Sequence, residues 1–124
     1  MADTPEQRFD RMAESLVDTL KSLAMVLAGL PIPMRIGFLQ NDAATHADVT
    51  ADLARVQELL YEEPIHNGAR LHIEQAILTI LLVFDVLYIA KLEQEIAHRE
   101  DGVTHLCTLA TIDLTFAARL LDIE

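Results

Sequence analysis

The chain has 124 residues, 52% of them apolar, with 20 acidic side chains against 9 basic ones and a formal net charge of −11. That size suits a single domain over 1–124, large enough to fold without a disulfide or a metal, and the apolar content excludes general disorder. So acidic a surface repels phosphate and anionic membrane surfaces, which excludes ordinary direct nucleic-acid binding and membrane attachment, and it suits a basic protein partner.

Leu and Ala dominate, Trp is absent, and only 4 Gly and 4 Pro are present, so little of the chain is left for loops and helix is favoured over sheet. The first helix is predicted to start with Thr4 as N-cap, Pro5 at the first helical position and Glu6 in the first turn. Phe9, Leu16, Leu23 and Leu30 recur every seven residues, with Ala13, Leu20 and Leu27 filling the other half of the seam and Arg11, Glu14, Asp18 and Lys21 outside it. Gly29 ends the pattern, and Pro31 and Pro33 prevent its return. The stretch from Leu30 to Ala44 is too apolar for a solvated linker. It is expected to lie on the other helices or cover one end of them, with a short helix over Met34 to Gln40.

The second helix is expected from near Thr45 to Glu62, with Asp48 three residues after its cap. Val49, Leu53, Val56 and Leu60 form its apolar stripe, while Asp48, Asp52, Glu58 and Glu62 share the opposite face with Arg55. Pro64 stops it, and His66-Asn67-Gly68 makes a turn. A long third helix follows, predicted from about Ala69 to Arg99 and closed by Asp101-Gly102. Its middle, Ala76 to Ala90, is interrupted only by Thr79 and Asp85 and has no polar face. Such a helix must be covered all round, and a chain this small covers only part of it, so a partner chain is expected. The run is short for a membrane span. A fourth helix is predicted from about Val103 to Asp122, with Leu106, Leu109, Phe116 and Leu120 on one face and Thr104, Thr108, Thr111 and Thr115 on the other. The expected fold is all-α: an antiparallel bundle of four main helices with a short extra helical or extended segment after helix 1.

Two Glu-x-x-His pairs, Glu63 with His66 and Glu95 with His98, match the spacing by which di-metal helical proteins hold their ions. Their positions argue against it: Pro64 puts the first pair in a turn, and a helix roughly 45 Å long separates it from the second. No metal and no cofactor are therefore expected. Asp85 and Asp113 stand out because each interrupts an apolar face, and a buried carboxylate needs a partner or a proton. Pairing the last two helices through Asp101-Gly102 sets Asp113 near Tyr88, and pairing the second with the third sets His46 level with Asp85. With Arg35 lying over that end, Arg35, His46, Asp85, Tyr88 and Asp113 form a candidate ligand pocket or buried polar network. His72 and His105 lack partners of ligand type at helical spacing. Cys107, the only cysteine, cannot form an internal disulfide; it reads as a small buried apolar residue and fits a reducing cytoplasm. The acidic start, Met1 to Glu6, runs directly into an amphipathic pattern, unlike a secretory signal.

No catalytic signature is present. The expected function is non-enzymatic: a cytoplasmic homodimer joined through helix 3, acting as an adaptor, chaperone-like or inhibitory protein whose acidic face of Asp48, Asp52, Glu58 and Glu62 meets a basic partner. The alternative is a small-molecule-binding or enzymatic helical protein using the pocket around Asp85 and Asp113.

Overall fold

In the computed structural model, residues 4–40, 44–93 and 97–123 are described. They are all-helical: α1 (Pro5–Ala28), a 3-10 turn (Gly37–Gln40), α2 (His46–Leu60), α3 (Asn67–Glu93) and α4 (Ala97–Leu120), with no strand among the described residues. Both helix starts read from sequence carry reciprocal caps. Thr4 accepts a hydrogen bond from the Gln7 amide at 3.1 Å while its own amide donates to the Gln7 side chain at 2.9 Å. Thr45 and Asp48 repeat the arrangement at the start of α2, at 3.1 and 2.9 Å. Those bonds from Thr45 hold the Asp48 carboxyl below its usual range, so it stays ionised at neutral pH. α1 ends at Gly29, and glycine is needed at this cap because a Cβ there would come within 2.7 Å of Ile123, which packs on the helix end.

Pairs of contacts fix the helix directions. Arg11 binds Glu100 near the starts of α1 and α4, and Gly29 meets Ile123 near their ends, so these two helices run the same way. His46 meets Asp85, and Arg70 donates to the Leu60 carbonyl, so α2 and α3 run in opposite directions. His72 meets Asp113, and Gly68 meets Leu120, so α3 and α4 are also opposed. α1 and α2 are therefore co-directional, and the chain must return along the length of α1 before α2 can begin. The apolar segment after Gly29 makes that return. It buries Leu30, Met34 and Ile36 and runs along the helices rather than capping one end. Of the short helix expected over Met34 to Gln40, only the Gly37–Gln40 turn forms.

Side chains of α2 and its following turn satisfy the backbone of this crossover. The Ile32 amide donates to Glu63 at 2.9 Å, the Phe38 amide donates to Asp52 at 3.1 Å, and Arg55 donates to the Arg35 carbonyl at 2.9 Å. The next turn is held by Arg70, which donates to the carbonyls of Leu60, at the end of α2, and of Glu63, in the turn that follows.

α3 touches each of the other three α-helices. Ile73, Ala76, Ile77, Ile80, Val83, Leu87 and Ala90 form its buried side. Around them pack Leu16, Leu20, Leu23 and Leu27 of α1, the predicted Val49, Leu53, Val56 and Leu60 stripe of α2, and Val103, Cys107, Ala110, Leu114 and Ala117 of α4. By length and composition α3 from Asn67 to Ala90 could cross a membrane, with a mean hydropathy of 2.0; the apolar stretch is longer than the sequence reading allowed.

The break between the last two helices is displaced from its expected place. Asp101 and Gly102 lie inside α4, and the chain changes element between Glu93 and Ala97. Asp-Gly is compatible with a stop, but Glu100 and Asp101 also suit the start of a helix, where negative charge meets the positive end of the dipole. The shift moves α4 along α3: Asp113, expected opposite Tyr88, lies opposite His72, about 24 Å away along the helix.

Gly102 has no positive φ, and a Cβ added there meets nothing within 4 Å. Gly102→Ala is therefore expected to stabilise the protein by about 0.5–1 kcal/mol, seen as a rise in Tm of a few degrees. A fall in Tm would mean that Gly102 ends a helix after all.

Candidate functional site

Three of the five residues expected to cluster do so. His46, the first residue of α2, hydrogen-bonds through Nε2 to Asp85 Oδ1 at 3.0 Å, and its ring lies 5.0 Å from that of Tyr88, one turn along α3. The pair is open to water, with the Asp85 side chain 59% exposed. The register through the α2–α3 turn brought these residues together, as the sequence indicated. Beside them, Phe38 and Phe84 meet edge to face with ring centroids 5.8 Å apart. Phe9 and Leu16 of α1 complete one wall of a concavity of about 460 Å³ that also takes in His46 and Tyr88.

Arg35 and Asp113 lie elsewhere. Arg35 is exposed on the crossover and borders a different hollow, with Arg55, Glu62 and Glu63. Its carbonyl, not its guanidinium, is the group engaged by Arg55. Asp113 is partnered by His72: Nδ1 and Oδ1 are 2.8 Å apart, and the imidazole stacks on Phe116 at 5.4 Å. Asp113 is thus a satisfied carboxylate on the α3–α4 boundary, with His72 doing the work expected of Arg35. The displaced helix break accounts for this exchange of partners.

The acidic face is also partly absorbed by structure. Asp48 is committed to the cap of α2, and Asp52 is turned inward to Phe38 and Arg55. Glu58 and Glu62 remain exposed. Glu63, part of the same acidic stretch in sequence, is buried and accepts from the Ile32 amide. Its Glu-x-x-His partner, His66, accepts from the Gly68 amide instead, while Glu95 and the His98 side chain lie outside the described residues. Among the described residues no three metal-ligating side chains converge.

The feature that sequence reasoning missed is the orientation of α4. The helical spacing of Leu106, Leu109, Phe116 and Leu120 points to them as its core face. α4 instead buries Val103, Cys107, Ala110, Leu114 and Ala117, and it exposes Leu109, Ile112, Phe116 and Leu120. α3 does the same on its outer side, where Leu71, Leu78 and Leu82 are each more than half exposed. The two rows flank one groove, because Gly68 and His72 of α3 meet Leu120 and Phe116 of α4. The small side chains let α4 approach its neighbours closely, and the large ones are left facing out. A smaller inward residue was the available signal, hidden by the rule that larger apolar residues go inside. The threonines of α4 face solvent, with Thr108, Thr111 and Thr115 each donating to the carbonyl four residues back.

Cys107 packs in the core at 6% exposed. Burial raises its pKa, opposed in part by a hydrogen bond from Thr19, so the thiol is protonated at neutral pH.

The chain matches no protein-family model, no curated protein and no solved structure.

Two measurements follow from these placements. Asp113→Ala strands His72 at a partly buried position and is expected to destabilise by about 1–3 kcal/mol, whereas Arg35→Ala should stay within about 0.5 kcal/mol of wild type. Equal losses from both would restore Arg35 as the partner of Asp113. Cys107 should resist iodoacetamide in the folded protein and be alkylated at the ordinary thiol rate in denaturant. Fast labelling under native conditions would show that this part of the core opens.

Proposed function

We propose that the protein works by association rather than catalysis, as a homodimer joined through the outward faces of α3 and α4, in an adaptor, chaperone-like or inhibitory role. The observation that supports this is the orientation of α4, which buries alanines and a cysteine while presenting Leu109, Ile112, Phe116 and Leu120 beside Leu71, Leu78 and Leu82 of α3. The reading takes the four helices as one bundle, with α3 antiparallel to its neighbours α2 and α4 and the crossover after α1 as an added segment.

Size favours a second copy as the occupant of this face. The rows from 71 to 82 and from 109 to 120 are each about 16 Å long and stand side by side. Seven large side chains about half exposed, with Ile89 above them, amount to on the order of 700 Å². That exceeds the usual apolar patch of a monomer and approaches the ~800 Å² that each partner contributes to a standard interface. Charge favours it too. Asp113 on the boundary of those residues is already bound to His72, so it brings no unpaired carboxylate to the face. An isologous apolar face is its own complement under a two-fold axis. The remaining acidic surface, including Glu58 and Glu62, suits a basic protein partner of the dimer, and the protonated lone cysteine suits a reducing cytoplasm.

Light scattering at micromolar concentration is expected to give a particle of twice the 13.8 kDa chain mass. Leu78→Glu and Phe116→Asp, both at exposed positions, should each yield a monomer with unchanged helical content. A wild-type monomer at tens of micromolar would overturn the reading. So would quantitative flotation of the wild type with neutral lipid vesicles, which would assign the same face to a bilayer.

A further inference from the structure

A second feature, independent of the dimer face, is the concavity beside His46. The chain has only 4 Phe and 2 Tyr, yet Phe9, Phe38, Phe84 and Tyr88 gather around this one hollow, with the imidazole of His46 as a fifth ring. They come from α1, the 3-10 turn and α3, so nothing in local sequence requires them to meet. The volume, about 460 Å³, is in the range that takes small organic ligands. Its floor and walls are apolar, with Leu16 and Val49 from the core closing the bottom.

The charged groups bonded to the lining residues select among ligand charges. Asp85 follows Phe84 and lies hydrogen-bonded to His46, with more than half of its side chain in water. Asp48 stands in the first turn of α2, and the bonds from Thr45 keep it ionised. The capping box also takes up the Asp48 amide that the start of α2 would otherwise offer to an anion. No Lys or Arg lines the hollow among the described residues. An anionic head would meet no cation in the hollow and would approach Asp85 and Asp48, the carboxylates hydrogen-bonded to its lining residues His46 and Thr45, in a protein of net charge −11, whereas a cationic head would find the faces of aromatic rings with the Asp85 carboxylate beside His46.

We infer that the hollow bounded by Phe9, Phe38, Phe84, Tyr88 and His46 is a binding site for a small lipophilic ammonium ion, its apolar body among the rings and its charge at the His46 end, toward the neighbouring carboxylate of Asp85. Tyr88, half exposed and tilted against His46, supplies a ring face beside the charge, and His46 holds Asp85 in place through Nε2. Binding requires no covalent step.

Three probes of nearly the same shape test the inference: 1-naphthylmethylammonium, neutral 1-naphthylmethanol and 1-naphthylacetate, titrated into the full chain at pH 7 and followed by calorimetry and naphthalene fluorescence. The cation is expected to bind at one per chain, at least tenfold tighter than the acetate, with the alcohol between them. Methylammonium, which carries the charge without the rings, should bind at least tenfold more weakly than the naphthyl cation. Asp85→Asn keeps a partner for His46 and should weaken the cation at least fivefold while leaving the alcohol unchanged. Phe84→Ala should weaken all three naphthyl probes. Because that variant could also loosen the core, Val17→Lys gives a second reading: Val17 is a half-exposed residue on the rim, so the change should spare the melting temperature and weaken the cation alone. Acetate or alcohol binding as tightly as the cation would overturn the inference. So would methylammonium matching the naphthyl cation, an Asp85→Asn variant with undiminished cation affinity, or no saturable binding of any naphthyl probe. None of these outcomes depends on whether the protein is a dimer.

Discussion

The fold depends on the burial of one side of α3. Ile73, Ala76, Ile77, Ile80, Val83, Leu87 and Ala90 form a continuous inward stripe, and the helix that carries them touches α1, α2 and α4. Hydrophobic burial is non-directional, so this stripe would hold many arrangements of three neighbours. Directional polar contacts select one. Arg70 ties the end of α2 to the start of α3, His46 meets Asp85 further along the same pair, and His72 meets Asp113 across to α4. Each contact sits beside the apolar stripe rather than within it, so register is set without leaving a charge alone in the core. None of the buried side-chain nitrogens or oxygens among the described residues lacks a hydrogen-bond partner.

The crossover after α1 carries a second constraint. An apolar segment pressed along the helices cannot leave its amides to water, and it has no regular ladder to satisfy them. Glu63 and Asp52 accept from Ile32 and Phe38, and Arg55 donates to the carbonyl of Arg35. Carboxylates that look in sequence like part of a docking face are thereby structural. The same interaction puts Phe38 against Phe84 and so completes the aromatic hollow. What holds the connection also shapes the site.

The outward groups of α3 and α4 invert the usual distribution of apolar size. Ala110, Ala117 and Cys107 face inward and Leu109, Phe116 and Leu120 face out, which brings helix axes close at the cost of exposing the larger surface. A chain that folds this way gains tight internal packing and retains an apolar surface that association can remove from water.

Residues close together in the chain settled much of this structure before any folding. Thr4 with Pro5 and Gln7 starts α1, Thr45 with Asp48 starts α2, Gly29 ends α1, and Val49, Leu53, Val56 and Leu60 face inward. Each is decided within about one or two turns of backbone, where capping bonds and helical periodicity act. The short Pro64–Gly68 connection likewise made the meeting of His46, Asp85 and Tyr88 legible. Tertiary structure decided the rest. The helical placement of Asp101 and Gly102, the choice of His72 over Arg35 for Asp113, the inward turn of Asp52 and Glu63, and the outward turn of Phe116 all depend on which surface lies opposite. An Asp-Gly pair is compatible with either a stop or a first turn, and a carboxylate accepts from any donor that reaches it. Local preference in these places is worth no more than about 1 kcal/mol, less than the packing of α4 against α1 and α3, so the packing prevailed.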